Sequence, residues 1–557
     1  MRATGVKHRL VVMVVVIMVA MFAIVASPAT IHRLDSPLMA DLTTLFISQG
    51  LSLPSTAGPW STDELSFLLE KLNPGKLSSA ERQMYDRIDS ALRAELKPVF
   101  ANLHASLETY THANTTEFTT QDDWVYSYLD RKPLLSIPVH LDLGPFAGYM
   151  DFSLVNRNMD DRDAQNSAIE GVSELFGKHY FTTNLPIQTF GKDLHLDSNV
   201  PYQAALSAGG KGWYLEAGRQ QLSWGPGKTG NFLIGSHLQY HNMARLAAYR
   251  KSFKYSLVTS FFPHPDEIGT FDSTHYQGDI LKGLKMLLAH RFEWRFANDR
   301  FGLVLNEAIM YQSSDGVDLR ILNPLMFYHN YYIRNNANSL ATLEFDWAVG
   351  KGWNVYGQLA VDELSFGETE WNLPIEKRHP DGLGFMLGTS YAHIGEQGVI
   401  TGHIEGVYTD PYLYLRSLDG DANQAGDTDN LNFVVAIRRW IPDKVIYDQE
   451  YLGYRYGGDA IVVDAGLGYR VPDGWSLSAR LFFMAHGDVG KITKWEMGKL
   501  QRSPSGTSTY YVQAGLSATK RLGAFDLYGS VAYLSKIRAK QAEHDFQLVI
   551  GASWSWL

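Results

Sequence analysis

The chain of 557 residues contains no cysteine, no excess of basic charge and only one long apolar run. Without cysteine it can form neither a disulfide framework nor a thiolate metal site. The formal net charge of −10 argues against a nucleic-acid partner, because binding to phosphates needs a basic surface. Beyond residue 25, no segment is continuously apolar over the ~20 residues that a membrane-spanning helix needs. The remainder is therefore either soluble or crosses a membrane as a β-barrel.

Hydrolase motifs are also missing. The 18 histidines form no His-Glu-x-x-His pair, and no Gly-x-Ser-x-Gly elbow is present. A hydrolase would need a nucleophile beside a base, and the spacing of Ser505, Ser508 and His486 does not favour such a pair. We therefore predict that the chain is not an enzyme and uses no cofactor and no metal ion.

The N-terminus has the three parts of an export signal. Basic residues precede an apolar run at 10–25, and small residues follow at 26–29. This pattern predicts a secretory signal peptide over residues 1–29, cleaved near Ala26 or Ala29. An uncleaved anchor helix is the alternative, although the run is shorter than the ~20 residues that such a helix needs.

Residues 30–130 are predicted to form a helical region and linker on the periplasmic side. The segments 61–72 and 78–96 each begin with a helix-capping residue and continue with apolar residues at helical spacing. A third helix is predicted over 35–49.

Residues 131–557 show the alternation of β-strands with one apolar and one polar face. At the C-terminus, Phe546, Leu548 and Ile550 alternate with polar or small residues, and the pattern recurs back to about residue 146. Tight turns alternate with long polar stretches, as in outer-membrane barrels. The tight turns are predicted at 250–253, 298–300, 350–352, 442–444, 472–474 and 520–523, and the long stretches at 263–282, 312–341, 364–381, 410–430 and 487–508.

This pattern predicts an all-β, antiparallel transmembrane barrel of about 18 strands. Residues 132–142 leave the count open, because Pro133 and Pro138 make a poor central strand. The mean hydropathy of −0.17 is compatible with a barrel, whose lumen and loops are polar. A soluble sandwich or propeller is the alternative fold.

Charged residues stand directly between large rings in several strands, as Arg291, Glu293 and Arg295 do. Rings that face lipid and charges that face water explain this pattern, whereas a dry sandwich core does not. The residues predicted to line the lumen are Arg291, Glu293, Arg295, Asp464, Arg470 and Arg480. They could line an open pore or form salt bridges that plug it, and the sequence leaves both open.

Residues 218–232 form the most specific sequence cluster. Gly227, Lys228 and Thr229 look like the end of a phosphate-binding loop, but Leu222 stands where that motif needs glycine. ATP is also not expected outside the inner membrane. Strand parity instead predicts that the turn at 224–227 lies at the outer mouth of the barrel.

This cluster resembles the capsule-assembly Wzi family, through residues 218–219 and 222–227. The resemblance extends to the segments 34–50, 290–296, 322–324 and 358–363. It implies an outer-membrane barrel, with helices in the periplasm, whose outer face binds surface or capsular polysaccharide as a lectin and helps to attach or assemble it. The chain departs from the family in ending at Leu557 with Trp556 before it, and its loops beyond residue 365 match nothing, so sugar specificity does not carry over.

Sugar binding needs flat rings for the sugar faces and planar polar groups for the hydroxyls. The stretch 312–341 supplies both. The predicted carbohydrate-binding residues are Trp224, Lys228, Asn231, Asn323, His329, Tyr331, Tyr332 and Arg334. Their rings could equally belong to the aromatic girdle of a general diffusion porin or solute channel, which is the alternative function.

The segment 419–427 places acidic and amide oxygens at alternate positions, as calcium loops do. Its glycine is misplaced for an EF-hand, so a solvated acidic loop is the preferred interpretation. The predicted partners are surface polysaccharide and outer-membrane lipid. The sequence does not determine the oligomeric state.

Overall fold

The structure is a computed structural model that describes most of residues 29–556. The residues it leaves undescribed within that span are 95–96, 114–123, 127–129, 156–180, 186, 189–194, 197–201, 264–283, 314–336, 364–373, 375–377, 379, 416–430, 442–443, 473, 492, 494–497 and 499–500. The apolar part of the predicted signal peptide and the acidic segment 419–427 therefore lie outside the described residues. Within the described residues, no helix is long and apolar enough to cross a membrane.

Eighteen antiparallel strands form one closed barrel, which confirms the predicted fold class. Each strand pairs with its neighbour in the chain, and the last pairs with the first. The strands are β1 (in two pieces, Val99–Ala101 and Leu103–His112), β2 (Leu135–Asp142), β3 (Phe146–Leu154), β4 (Tyr202–Gly210), β5 (Trp213–Gln220), β6 (His241–Arg250), β7 (Phe253–Phe262), β8 (Leu284–Phe296), β9 (Phe301–Ser313), β10 (Ala337–Gly350), β11 (Trp353–Glu363), β12 (Gly382–Gly395), β13 (Gly398–Thr409), β14 (Ala460–Arg470), β15 (Trp475–His486), β16 (Thr509–Leu522), β17 (Phe525–Arg538) and β18 (Gln541–Trp556).

Side chains alternate between the two faces of the barrel wall. In β18, Phe546 and Ile550 are 59% and 53% exposed on the outside, whereas Asp545 and Gln547 are buried on the inside. Period-two alternation of this kind places successive side chains on opposite faces of the wall, and the inward face also carries apolar residues such as Leu287 and Met310. A closed wall with an apolar outer face suits a lipid bilayer, because no backbone hydrogen-bonding group is left unpaired at an edge.

The barrel begins earlier than the sequence pattern predicts. Strand β1 pairs with β18 from Leu103 to His112, although residue 131 was the predicted start of the barrel. Strand β2 is a full member of the wall despite Pro138. Pro138 lies opposite the break in β1, where the Asn102 amide donates to the Pro138 carbonyl at 3.1 Å. A proline fits there because the interrupted ladder does not require its missing N–H.

Most of the described short turns lie at one end of the barrel, which we call the tight-turn end, and the turn between β17 and β18 lies at the other end. Those at the tight-turn end follow β6, β8, β10, β14 and β16 as predicted, and unpredicted ones join β2 to β3, β4 to β5 and β12 to β13. The predicted turn at 442–444 lies mostly outside the described residues, but the segments on either side of it, Val434–Ile441 and Lys444–Tyr451, pair with each other as a two-stranded sheet separate from the barrel. This hairpin lies within the long connection between β13 and β14, at the opposite end, which we call the loop end.

Three helices precede the barrel, and they pack at its tight-turn end. They are α1 (Pro37–Gln49), α2 (Thr62–Leu69) and α3 (Ser79–Arg93). The Ser61 side chain accepts from the Glu64 amide at the start of α2, and Ser78 and Glu81 form a capping box at the start of α3. The apolar core of these helices includes Ile394 and Val399, which flank the turn between β12 and β13.

Candidate functional site

The segment between α1 and α2, residues 51–61, enters the barrel lumen, and we call it the plug segment. Its Leu53 amide donates to Asp346 Oδ2 of β10 at 2.6 Å. The Pro54 carbonyl accepts from the Arg295 guanidinium at 2.9 Å, and Ser55 Oγ donates to Glu293 Oε1 at 3.3 Å. The plug segment thus completes hydrogen bonds for charged groups that would otherwise need water.

Arg291 is the centre of this contact. Its guanidinium is fully buried and donates to Glu344 Oε1 at 2.7 Å, to Glu293 Oε1 at 2.9 Å and to Asn306 Oδ1 at 3.1 Å. It also donates to the Thr56 hydroxyl of the plug segment. A guanidinium with this many charge-assisted bonds is fixed in place, because each bond lost would leave a buried charge unpaired.

A second group of charges holds the plug segment from β5, β6 and β7. The Lys254 ammonium donates to Ser55 Oγ at 3.0 Å and to Glu64 of α2. Arg245 forms an ion pair with Glu216 at 2.6 Å and donates to the Pro59 carbonyl at 2.8 Å. Burial raises the pKa of Glu64, although the Lys254 ammonium acts in the opposite direction.

The segment that directly follows α2 also contacts the tight turn between β8 and β9. The Lys71 ammonium lies 2.6 Å from Asp299 Oδ1 in that turn. Burial lowers the pKa of Lys71, and the carboxylate of Asp299 opposes this shift. The helices are therefore tied to the barrel by charged groups as well as by the apolar core around Ile394.

The long connection 221–240 between β5 and β6 folds into the lumen, and we call it the inner loop. Trp224 is 0% exposed and pairs through its backbone with Ala57 of the plug segment. The Gly225 amide donates to the Thr56 carbonyl at 2.8 Å. Trp224 was predicted at the outer mouth. Strand parity identifies the end of the barrel at which a loop begins. It does not predict that this loop folds back into the lumen, where its apolar side chains are buried.

Glu405 of β13 anchors the inner loop. Its buried carboxylate accepts from the Lys228 amide at 2.7 Å, the Thr229 amide at 2.8 Å and the Tyr356 hydroxyl at 2.8 Å. The Thr229 hydroxyl donates to it as well, at 2.6 Å. The sequence pattern missed this residue, although its parity between His403 and Val407 predicts an inward side chain.

Asn231 stabilises the same loop from inside. Its Oδ1 accepts from the Gly227 amide at 2.9 Å and from Gln358 Nε2 at 3.2 Å, and the side chain is buried. Gly225 has a φ of +137° and a Cβ there would lie 1.9 Å from Gln358 Nε2, so only glycine fits. Lys228 differs from its neighbours because its side chain is exposed to the lumen.

The other predicted lumen-lining residues lie on β14 and β15. The Asp464 carboxylate accepts from Arg480 Nε at 2.6 Å and lies 2.7 Å from His403 Nε2. Arg470 forms an ion pair with Asp41 of α1, which ties the helix to the wall. Between α1, the inner loop and strands β12 to β15 remains a cavity of about 690 Å³, which we call the lumen chamber.

Tyrosine rings close the lumen above the inner loop. The Tyr414 hydroxyl donates to the Phe232 carbonyl at 2.7 Å and accepts from the Tyr454 amide at 2.9 Å. Tyr451 and Tyr456 are also buried in this layer. The described part of the connection between β13 and β14 therefore forms a lid of packed rings over the inner loop.

No protein-family model and no curated protein matches the chain. Among solved structures, the Escherichia coli outer-membrane protein Wzi, described as a carbohydrate-binding β-barrel involved in group 1 capsule assembly, is 14% identical with a TM-score of 0.54. The match covers 95% of this chain and 99% of Wzi. This chain has the Wzi fold. The predicted resemblance to the Wzi family is thus confirmed at the level of the fold.

Two porins also match the chain among solved structures. A BenF-like porin of Pseudomonas fluorescens is 9% identical with a TM-score of 0.39, over 83% of this chain and 100% of the porin. Pseudomonas aeruginosa OprD is 12% identical with a TM-score of 0.38, over 83% and 98%.

The structure separates the predicted carbohydrate-binding residues into two groups. Trp224 and Asn231 are buried inside the Wzi-like barrel, and Lys228 faces the lumen chamber. The remaining residues lie in the segment 314–336, outside the described residues. They are Asn323, His329, Tyr331, Tyr332 and Arg334.

Proposed function

We propose that this protein is an outer-membrane barrel that binds surface or capsular polysaccharide and helps to attach or assemble it at the cell surface. The observation that carries the proposal is the occupied lumen. The plug segment and the inner loop meet inside the wall, and buried ion pairs of Arg291, Arg245 and Lys254 hold the plug segment there. A general diffusion channel needs a water-filled path, which these groups obstruct.

The orientation follows from the general construction of such barrels. Short turns face the periplasm and long loops face outward. Helices α1 to α3 then lie in the periplasm, and the lid of tyrosine rings lies towards the outside. The fold of Wzi, a carbohydrate-binding barrel, supports polysaccharide as the ligand at the loop end.

Binding would be non-covalent. Rings stack on the apolar faces of sugars, and amide and guanidinium groups donate hydrogen bonds to sugar hydroxyls. We assign this role to Tyr331, Tyr332 and Arg334, together with Asn323 and His329. Trp224 and Asn231 support the inner loop instead, because their side chains are buried.

A glycan array with the detergent-purified protein tests the proposal. We expect the wild type to bind a subset of acidic or neutral bacterial polysaccharides, and Y331A Y332A R334A to lose most of that signal. The matched control is Y391A Y469A R300A, which removes the same side-chain types near the tight-turn end. Heat-modifiable mobility on gels verifies that both variants still fold. Equal binding by the wild type and the first variant would remove these residues from the site, and no binding by the wild type would remove the function.

A further inference from the structure

The lumen chamber is bounded by groups that favour an anion. Its basic side chains are Lys228 of the inner loop, His403 of β13 and Arg480 of β15, and Tyr391 of β12 is the fourth ionisable residue of the described lining. No aspartate or glutamate is among the described residues that line it. The chamber surface therefore presents cationic donors, Lys228 and Arg480, although the Asp464 carboxylate behind the wall is paired with Arg480.

Donor groups in the chamber remain available for a ligand. The Lys228 ammonium forms no ion pair or side-chain hydrogen bond with the described residues, because only its backbone amide is used by Glu405. Arg480 donates from Nε to Asp464 and from Nη1 to Gln513, which leaves Nη2 without a partner among the described residues. The Arg480 side chain is 42% exposed, so this group reaches the water of the chamber.

Strand β14, which lies between His403 and Arg480, has two glycines that face the chamber. Gly466 and Gly468 are inward positions of β14, opposite His403 and Thr401 of β13 and Arg480 and Ser478 of β15. A Cβ at Gly466 would lie 2.2 Å from His403 Cε1, so glycine leaves the space that the histidine ring occupies. Hydroxyl groups of Ser390, Thr401 and Ser478 complete this side of the lining.

We propose that the lumen chamber is an oxyanion-binding site, in which the Lys228 ammonium and Arg480 Nη2 donate to a carboxylate or phosphate group of a small polyhydroxylated ligand. An ammonium and a guanidinium form strong charge-assisted bonds to such groups. The serine and threonine hydroxyls suit the remaining polar surface of the ligand. A volume of about 690 Å³ is within the range of small-molecule sites. This site is separate from polysaccharide binding at the loop end and does not depend on it.

Isothermal titration calorimetry of the full-length protein in detergent tests the site with three probes: D-glucuronate, inorganic phosphate and neutral D-glucose. We expect at least one oxyanion to bind and glucose not to bind. Because hydrogen bonds to charged groups are the stronger class, K228Q R480Q should weaken the binding of the oxyanion roughly tenfold or more. Binding of glucuronate but not phosphate identifies a sugar acid as the source of the oxyanion, and the reverse identifies a phosphate.

The matched control is K351Q R300Q, which removes the same two charges from tight turns. It should bind the oxyanion as the wild type does. The single variant K228Q is a second test with little risk to folding, because the Lys228 side chain takes no part in the anchor at Glu405. The proposal is overturned if no oxyanion binds, if glucose binds as tightly, or if K228Q and K228Q R480Q bind like the wild type.

Discussion

At the scale of single residues, Arg291 illustrates how a charge can stabilise the interior of a membrane barrel. Its inward direction could be predicted from alternation with Phe292, but its partners could not. Glu344 lies 53 positions away in the sequence and Thr56 lies 235 positions away. No local pattern relates these residues, so the sequence left open whether the charges line a pore or close it.

Removal of the Arg291 charge should lower the stability of the barrel. R291M leaves Glu344 buried without its cation and Glu293 with Arg295 as its remaining ion-pair partner at 3.5 Å, and breaking a buried pair from one side costs about 3–5 kcal/mol. We expect the free energy of unfolding in phospholipid vesicles, measured by urea titration, to fall by about that amount. The control R82M removes a guanidinium from the exposed pair with Asp86 and should leave the titration unchanged. Equal urea midpoints for the wild type and R291M would show that the ion pairs of Arg291 do not contribute to stability.

At the scale of elements, strand alternation and tight turns predict most of the barrel from β5 onward, although apolar runs such as 286–289 of β8 interrupt the alternation. The prediction fails where a loop folds inward. Residues 221–240 leave β5 at the loop end, but their direction is decided by Glu405, which is 176 positions from Thr229. It also fails at β1, because the short piece Val99–Ala101 and the break at Asn102 obscure the alternation.

The closure between β18 and β1 can be tested with introduced thiols, because the natural chain has no cysteine. Ser106 and Ser553 are directly paired, and their hydroxyl oxygens are 2.9 Å apart. We expect S106C S553C to form a disulfide on mild oxidation, seen as a mobility shift on a non-reducing gel. The control S106C S530C places the second thiol one strand further away, on β17, and should stay reduced. Cross-linking of the control, or none in the test pair, would contradict the register.

At the scale of the whole molecule, the outer surface forms an apolar belt that follows the full circumference. Leu481, in the middle of β15, is 63% exposed, and Leu522, at the tight-turn end of β16, is 51% exposed. Exposure of this kind around a closed wall is stable only against lipid. The belt therefore predicts that the cost of an introduced outward charge depends on its depth in the bilayer.

We expect L481R to destabilise the folded barrel by about 2–4 kcal/mol and L522R by only about 0–1 kcal/mol, because the penalty for arginine falls from the bilayer centre to the interface. Urea titration in vesicles measures both. The two variants make the same chemical change at similarly exposed positions, so each controls for the other. Equal effects would mean that the belt does not face a bilayer, and the barrel would have to be soluble.

The filled lumen predicts a low ion conductance for the whole molecule. An 18-strand wall is wide enough for an aqueous channel if nothing fills it. Here the plug segment, the inner loop and the lid of tyrosine rings lie one above another, so the wild type should show little single-channel conductance in planar bilayers. R291M E405Q weakens the anchors of the plug segment and the inner loop together and should raise the conductance, whereas E396Q in an exposed tight turn should not. A wild type that conducts like an open porin would favour solute diffusion over polysaccharide binding, because the buried charges would then have failed to close the lumen they fill.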